Sequence, residues 1–179
     1  MAGYLNHFNP KTILTMKHLI ALVFLTASFF TKAQDKNLPQ VELSDLYGQK
    51  VDLSTITNGE KIIVIDFWAT WCIPCKKSLN NMLEVEKEWK EKYNAEIVAI
   101  SLDDARNTSK VKAQVEGAKW PYKILLDPNQ DLRRLLNFQN IPFSMLVDKN
   151  GNIVYMHQGY VDGDEFEMEE QIKKIADLK

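Results

Sequence analysis

Both cysteines of this 179-residue chain fall in one stretch, Ile65-Asp66-Phe67-Trp68-Ala69-Thr70-Trp71-Cys72-Ile73-Pro74-Cys75. Patterns of different period flank it. The apolar run Ile62 to Ile65 predicts a buried strand leading in. Lys76 to Tyr93 predicts a helix leading out, with Leu79, Met82, Leu83 and Glu86 on one side and Glu84, Lys87, Glu88, Lys90 and Glu91 on a solvated face. Trp89 is expected to be a packed aromatic. Pro74 suits an early helical position, where its missing N–H would have had no intrahelical partner. Two thiols therefore stand where a buried strand gives way to a helix.

That placement carries chemistry. A thiol at a helix N-terminus faces unpaired backbone N–H groups and the positive end of the helix dipole. Both favour thiolate, the attacking species in disulfide exchange. Cys75 follows one turn later, within reach to resolve a mixed disulfide. The pair reads as a redox dithiol, with Cys72 the nucleophile and Cys75 the resolving thiol. A purely structural bridge and a metal site are the competing readings. Closing so short a loop stabilises a fold by only about 2 kcal/mol. A lone C-x-x-C supplies two ligands where tetrahedral zinc takes four, and of three histidines only His157 lies in the predicted domain.

The strand, the Trp-Cys-Ile-Pro-Cys motif and the helix resemble the active site of the thioredoxin superfamily. The Ile-Pro order between the cysteines is similar to the TlpA/ResA-like branch of extracytoplasmic thiol–disulfide oxidoreductases, and the likeness extends over most of residues 38–178. It implies that Trp71, Ile73 and Pro74 contact substrate. It also gives Asp66 a role. Buried in low-dielectric surroundings, a carboxyl holds its proton toward neutrality. The resemblance makes Asp66 the proton relay for Cys75; the alternative is an ordinary aspartate facing solvent at the strand end. One departure stands out. The branch commonly carries a glutamate three residues after the second cysteine, followed by a proline, and here Ser78, Leu79 and Asn80 occupy that region. This puts the branch's role in cytochrome c biogenesis in doubt and leaves the dithiol reading intact.

Residues 1–33 contain Lys11, Lys17 and Lys32 and no acidic residue, and Leu19 to Phe30 is almost wholly apolar. This predicts a signal peptide cleaved after Ala33, with the true start possibly at Met16. A retained N-terminal membrane anchor is the alternative, but the apolar core is shorter than the roughly 20 residues a span requires. No cysteine follows that core, which excludes a lipoprotein. Residues 34–179 then form one domain, with 19 Lys+Arg against 24 Asp+Glu. Without a basic patch, nucleic acid is not an expected partner. Export to an oxidising compartment permits disulfides, yet this chain carries a single closely spaced pair.

Further along, alternation on both sides of Gly48 predicts a hairpin over residues 41–53. Ala95 to Leu102 predicts a buried strand, parallel to the first if the crossover is right-handed. Asp103 and Asp104 read as caps of a helix over Ala105 to Glu116 ended by Gly117. Tyr122 to Leu126 predicts a short strand, and Asp127-Pro128 a cap for a helix ending at Asn137. Asn140-Ile141-Pro142-Phe143 matches the place where thioredoxin-like chains carry a cis-proline beside the cysteines. The resemblance implies a cis Ile141–Pro142 bond, with Ile141 and Pro142 contacting an extended substrate. Asn150-Gly151 between apolar runs predicts another hairpin, and a last helix runs from about Asp162 to Leu178. His157 reads as structural, and Gly159 matches a glycine near the site in similar chains.

The pattern assembles as an α/β fold: a thioredoxin fold whose central mixed sheet is flanked by helices, with an N-terminal hairpin and an inserted βα unit. The expected activity is thiol–disulfide exchange on exported proteins, as a reductant or exchange catalyst, by a monomer. The cysteine pair itself is the redox group, with no cofactor and no metal. A membrane electron-donor protein is the expected reducing partner. The alternative of a different class is a copper- or zinc-binding chaperone of the same fold, though such proteins space their cysteines more widely and use a histidine.

Overall fold

The computed structural model describes residues 37–177. The predicted leader and the boundary after Ala33 lie outside them, as does Leu178. A hairpin of β1 (Glu42–Asp45) and β2 (Lys50–Asp52) comes first. A 3-10 turn capped by Asp52 leads to β3 (Ile62–Trp68). There follow α1 (Ile73–Tyr93), β4 (Ala95–Ser101), a second 3-10 turn, α2 (Thr108–Ala118), β5 (Lys123–Leu126) and α3 (Asp131–Leu136). The chain closes with β6 (Phe143–Val147), β7 (Ile153–Gln158) and α4 (Asp164–Ala176).

All seven strands form one sheet in the order β2-β1-β5-β4-β3-β6-β7. β3 pairs parallel with β4, and β4 with β5, as a right-handed crossover predicts. β6 runs antiparallel to β3, and both hairpins add antiparallel strands at the margins. β3 is buried along its whole length, so its alternation feeds two cores. Ile62, Val64 and Trp68 face α1, α2 and α4, meeting Leu79, Trp89, Val115 and Ile172. Ile63, Ile65 and Phe67 face the other way, toward Leu53, Leu132 of α3 and the ring of Phe138. Each large side chain so buried stabilises the fold by about 1.5–3 kcal/mol.

Several boundaries move from those predicted. β3 continues through Asp66 to Trp68, so Asp66 is the fifth of seven strand residues and does not end the strand. α1 begins at Ile73, because Cys72 caps it and Pro74 sits in the first turn where no N–H is needed. Asp104 caps only the 3-10 turn Ala105–Asn107, its Oδ1 accepting from the Arg106 N–H at 3.0 Å. α2 then runs through Gly117, and Lys119 ends it in the left-handed conformation at φ 55°. Gln130 is the N-cap of α3, and Asp127, three residues earlier, reaches the helix start from outside, accepting from the Asp131 N–H at 2.8 Å. Trp89 is fully buried, as expected.

Candidate active site

Cys72 and Cys75 are joined by a disulfide, with Cα atoms 5.3 Å apart. Their environments differ. Cys72 caps α1 from extended backbone, and its Sγ accepts a hydrogen bond from the Cys75 N–H at 3.3 Å. That donor and the helix dipole both favour negative charge on Cys72 once the bridge opens. Around it, Trp71 and Ile73 are 69% and 76% exposed, and Pro74 is exposed as well. Cys75 points inward and is fully buried.

Asp103 holds the turn before Cys72. Its Oδ2 accepts from the Thr70 N–H at 2.8 Å and from the Ser101 hydroxyl at 3.0 Å, and its Oδ1 accepts from the Thr70 hydroxyl at 2.6 Å. The Lys76 ammonium closes the other side, donating to the Thr70 carbonyl at 3.0 Å. The Cys72 N–H donates to the Ala69 carbonyl at 3.0 Å. The expected capping role of Asp103 is thereby corrected: its oxygens are taken by the cysteine loop and Ser101, leaving Asp104 to cap the following turn. The parallel pairing of β3 with β4 was the available signal, since residues beyond two parallel strands emerge at the same sheet edge.

The second predicted segment reaches that edge too. Phe143 pairs with Phe67, which sets Pro142 level with the end of β3. The Ile141–Pro142 peptide is cis. Ile141 is half-buried and packs against both cores, including the cluster that holds Cys72 and Cys75. The Pro142 carbonyl accepts from the Gly159 N–H at 2.8 Å, which brings the loop after β7 alongside. That loop docks on α1, with Lys77 2.7 Å from Asp162 and the Asn81 amide 2.6 Å from the Tyr160 hydroxyl.

Asp66 lies below. Strand alternation puts it on the face of β3 that α1 covers, between Val64 and Trp68. It is fully buried, and burial pushes its carboxyl up to about 7 against the lowering effect of one hydrogen bond. That bond comes from the Ser144 hydroxyl at 2.8 Å, while Oδ1 meets no donor among the described residues. A solvent-facing aspartate is thus ruled out. Sequence reasoning missed Ser144, whose role depends on strand register. Ser78, standing where similar chains carry a glutamate, is buried in α1. One turn past Cys75, α1 is gripped from outside: the Tyr122 hydroxyl donates to the Leu79 carbonyl and the Trp120 indole to the Asn80 side chain, each at 2.8 Å. Among the described residues, no group of three or more His, Cys, Asp or Glu could hold a metal ion. Among the same residues, no helix is long and apolar enough to cross a membrane.

The AhpC/TSA family profile matches residues 34–156. The chain belongs to that family. Within it, the chain is 29% identical over 156 residues to the thiol-disulfide oxidoreductase ResA of Bacillus thuringiensis subsp. konkukian, covering 85% of this chain and 86% of the relative. With ResA of Bacillus anthracis it shares 31% over 141 residues, or 79% and 78% of the two chains. The solution structure of a thioredoxin-like protein from Porphyromonas gingivalis superposes with a TM-score of 0.70 at 37% identity, over 78% of this chain and 91% of that one. A crystal structure of a putative thiol:disulfide interchange protein DsbE from Chlorobium tepidum gives 0.70 at 27%, over 79% and 96%. The fold is the thioredoxin fold, and the resemblance to the ResA branch holds. As a family member with this dithiol, the chain is a thiol–disulfide oxidoreductase.

Proposed function

We propose that the enzyme exchanges disulfides with exported protein substrates outside the cytoplasm, as a reductant or exchange catalyst. One observation carries the reading: the two sulfurs are placed unequally, one at a helix cap beneath an exposed apolar rim and one sealed in the core. In the reduced enzyme, the Cys72 thiolate attacks a substrate disulfide and forms a mixed disulfide. Cys75 then attacks Cys72, restores the internal bridge and releases the substrate sulfur as a thiolate. Asp66 takes the Cys75 proton, since a carboxyl poised near 7 can both accept and return it. Trp71, Ile73 and Pro74 bind apolar substrate side chains, while Ile141 and Pro142 offer backbone to an extended peptide. The cysteines serve as the redox group without a cofactor. A membrane protein returns electrons to the oxidised monomer, and the leader directs export.

The test is trapping. Cys75→Ser should accumulate mixed disulfides with exported proteins, and Cys72→Ser should abolish insulin reduction. If Cys75→Ser traps nothing and turns over normally, the assignment fails. The potential of the couple sets direction: near roughly −270 mV it acts as a reductant and near about −120 mV as an oxidant.

A further inference from the structure

The two sides of Asp66 differ. In the sheet, Asp66 pairs with Ala99 of β4 on one side and with Ser144 of β6 on the other. Beyond Ala99 comes Ile124 of β5, so the row is apolar in that direction. Beyond Ser144 comes His157 of β7. Residues directly opposite on neighbouring strands project to the same face. Asp66, Ser144 and His157 therefore form a polar row across three strands, on the face that α1 and α4 cover.

The row continues to the surface. His157 Nε2 is 3.0 Å from Asp164 Oδ2, at the first turn of α4. A crevice of about 10 Å³ is lined by Ser144, His157, Ser78, Tyr160 and Glu167, among others. That is room for about one water among polar partners. Asp66 and Ser144 are 0% and 4% exposed, while the His157 and Asp164 side chains reach 29% and 16%. Access to solvent thus grows along the row from Asp66 to His157.

We infer that this row carries the proton taken up by Asp66 out of the interior, with Ser144 and His157 as its positioning residues. The inference rests on the relay role proposed above. During resolution the Cys75 thiol gives its proton to the Asp66 carboxylate, Cys75 Sγ bonds to Cys72 Sγ, and the substrate sulfur leaves as a thiolate. Two electrons pass from the dithiol to the substrate disulfide. Asp66 must lose that proton before the next cycle. The Ser144 hydroxyl, which donates to Asp66 Oδ2 here, turns toward the crevice; Asp66 then donates to Ser144 Oγ as the serine proton moves into the crevice and on to His157, since imidazole nitrogens accept and give protons in turn.

The surroundings suit this direction. From α4, Asp164 and Glu167 bring negative charge to the outer end of the row. Tyr155 of β7 is bound there, its hydroxyl donating to Glu167 at 3.0 Å. Tyr160 donates to Glu165 at 3.3 Å. Toward β5 the phenol of Tyr122, which donates to the Leu79 carbonyl, is pushed up by burial first and then by Glu86 and Asp66. α1 contributes only Ser78 and Met82 to the crevice.

The experiment measures mixed-disulfide resolution by rapid quench from pH 5 to 9, using the full chain. The variants are Ser144→Ala, Ser144→Thr, His157→Gln and Asp66→Asn. Ser144→Ala and His157→Gln should each slow resolution about tenfold at neutral pH, a fraction of what acid–base catalysis can supply. Ser144→Ala should also move the pH midpoint upward, because the carboxylate loses its donor. Ser144→Thr should restore rate and midpoint. A hydroxyl needed only for packing would alter melting and leave the midpoint in place. If Asp66→Asn slows resolution while Ser144→Ala and His157→Gln keep the wild-type profile, the exit route is wrong and the relay stands. If Asp66→Asn keeps that profile too, the relay falls and the route with it. Should Ser144→Ala fail to fold, His157→Gln on the partly exposed margin decides.

Discussion

Asp66 and Asp103 are two acids withdrawn from water at one side of a sheet, at 0% and 5% exposure. Their partners separate them. Asp103 accepts from a backbone N–H and two hydroxyls, all belonging to the cysteine loop or the strand beside it. Among the described residues, Asp66 accepts from one hydroxyl and keeps an oxygen with no donor. One carboxyl fastens a loop. The other sits under the helix that carries Cys75, in a place that opposes its charge. Burial by itself does not fix what an acid is for; the number and mobility of its donors does.

The sharpest way to break this contrast is to measure stability against pH. Burial raises Asp66 from 3.8 to about 7, a span worth about 4 kcal/mol. Between those values the unfolded chain has released the proton and the folded chain still holds it. The contribution of Asp66 to stability is therefore full only below the unfolded value of 3.8, falls as pH rises toward 7, and is flat above. Asp66→Asn, which has no proton to lose, should gain about 4 kcal/mol on wild type between pH 4 and pH 8 in urea titrations. A constant difference between the two proteins would show that Asp66 is not held protonated. Asp103→Ala should act in the opposite sense. It strands three donors, and denaturant midpoints should show a loss of about 2–4 kcal/mol at pH 7, with a fall in kcat/KM as the loop loosens. Thr70→Val removes one of those bonds and keeps the backbone one, so the expected loss is about 1 kcal/mol. Equal losses for Thr70→Val and Asp103→Ala would mean that the backbone and Ser101 contacts contribute nothing.

Much of this was legible in the chain. The apolar run before Asp66, the proline after Ile73 and the Asn150-Gly151 turn are local signals, and each produced the element expected of it. The burial of Asp66 followed from the company it keeps along β3. The cis bond at Pro142 came from resemblance, not from any local rule. What stayed hidden was not local. Asp103 and Asp104 look alike in sequence, and only the loop after β3, 33 residues earlier than Asp103, draws one of them away from capping. Ser144 looks like one polar residue in an apolar strand until register sets it beside Asp66, 78 positions before it. Gly117 carries the usual signature of a helix end, yet α2 runs to Ala118, two residues past the predicted Glu116, and Lys119 takes the left-handed turn; Trp120, next in the chain, packs against Trp68 with ring centres 4.9 Å apart.

The clasp of Tyr122 and Trp120 on the carbonyl of Leu79 and the amide of Asn80 has a mechanical corollary. Fastened at that height, α1 has little more than one turn above the pin, and that turn carries Cys75 and is capped by Cys72.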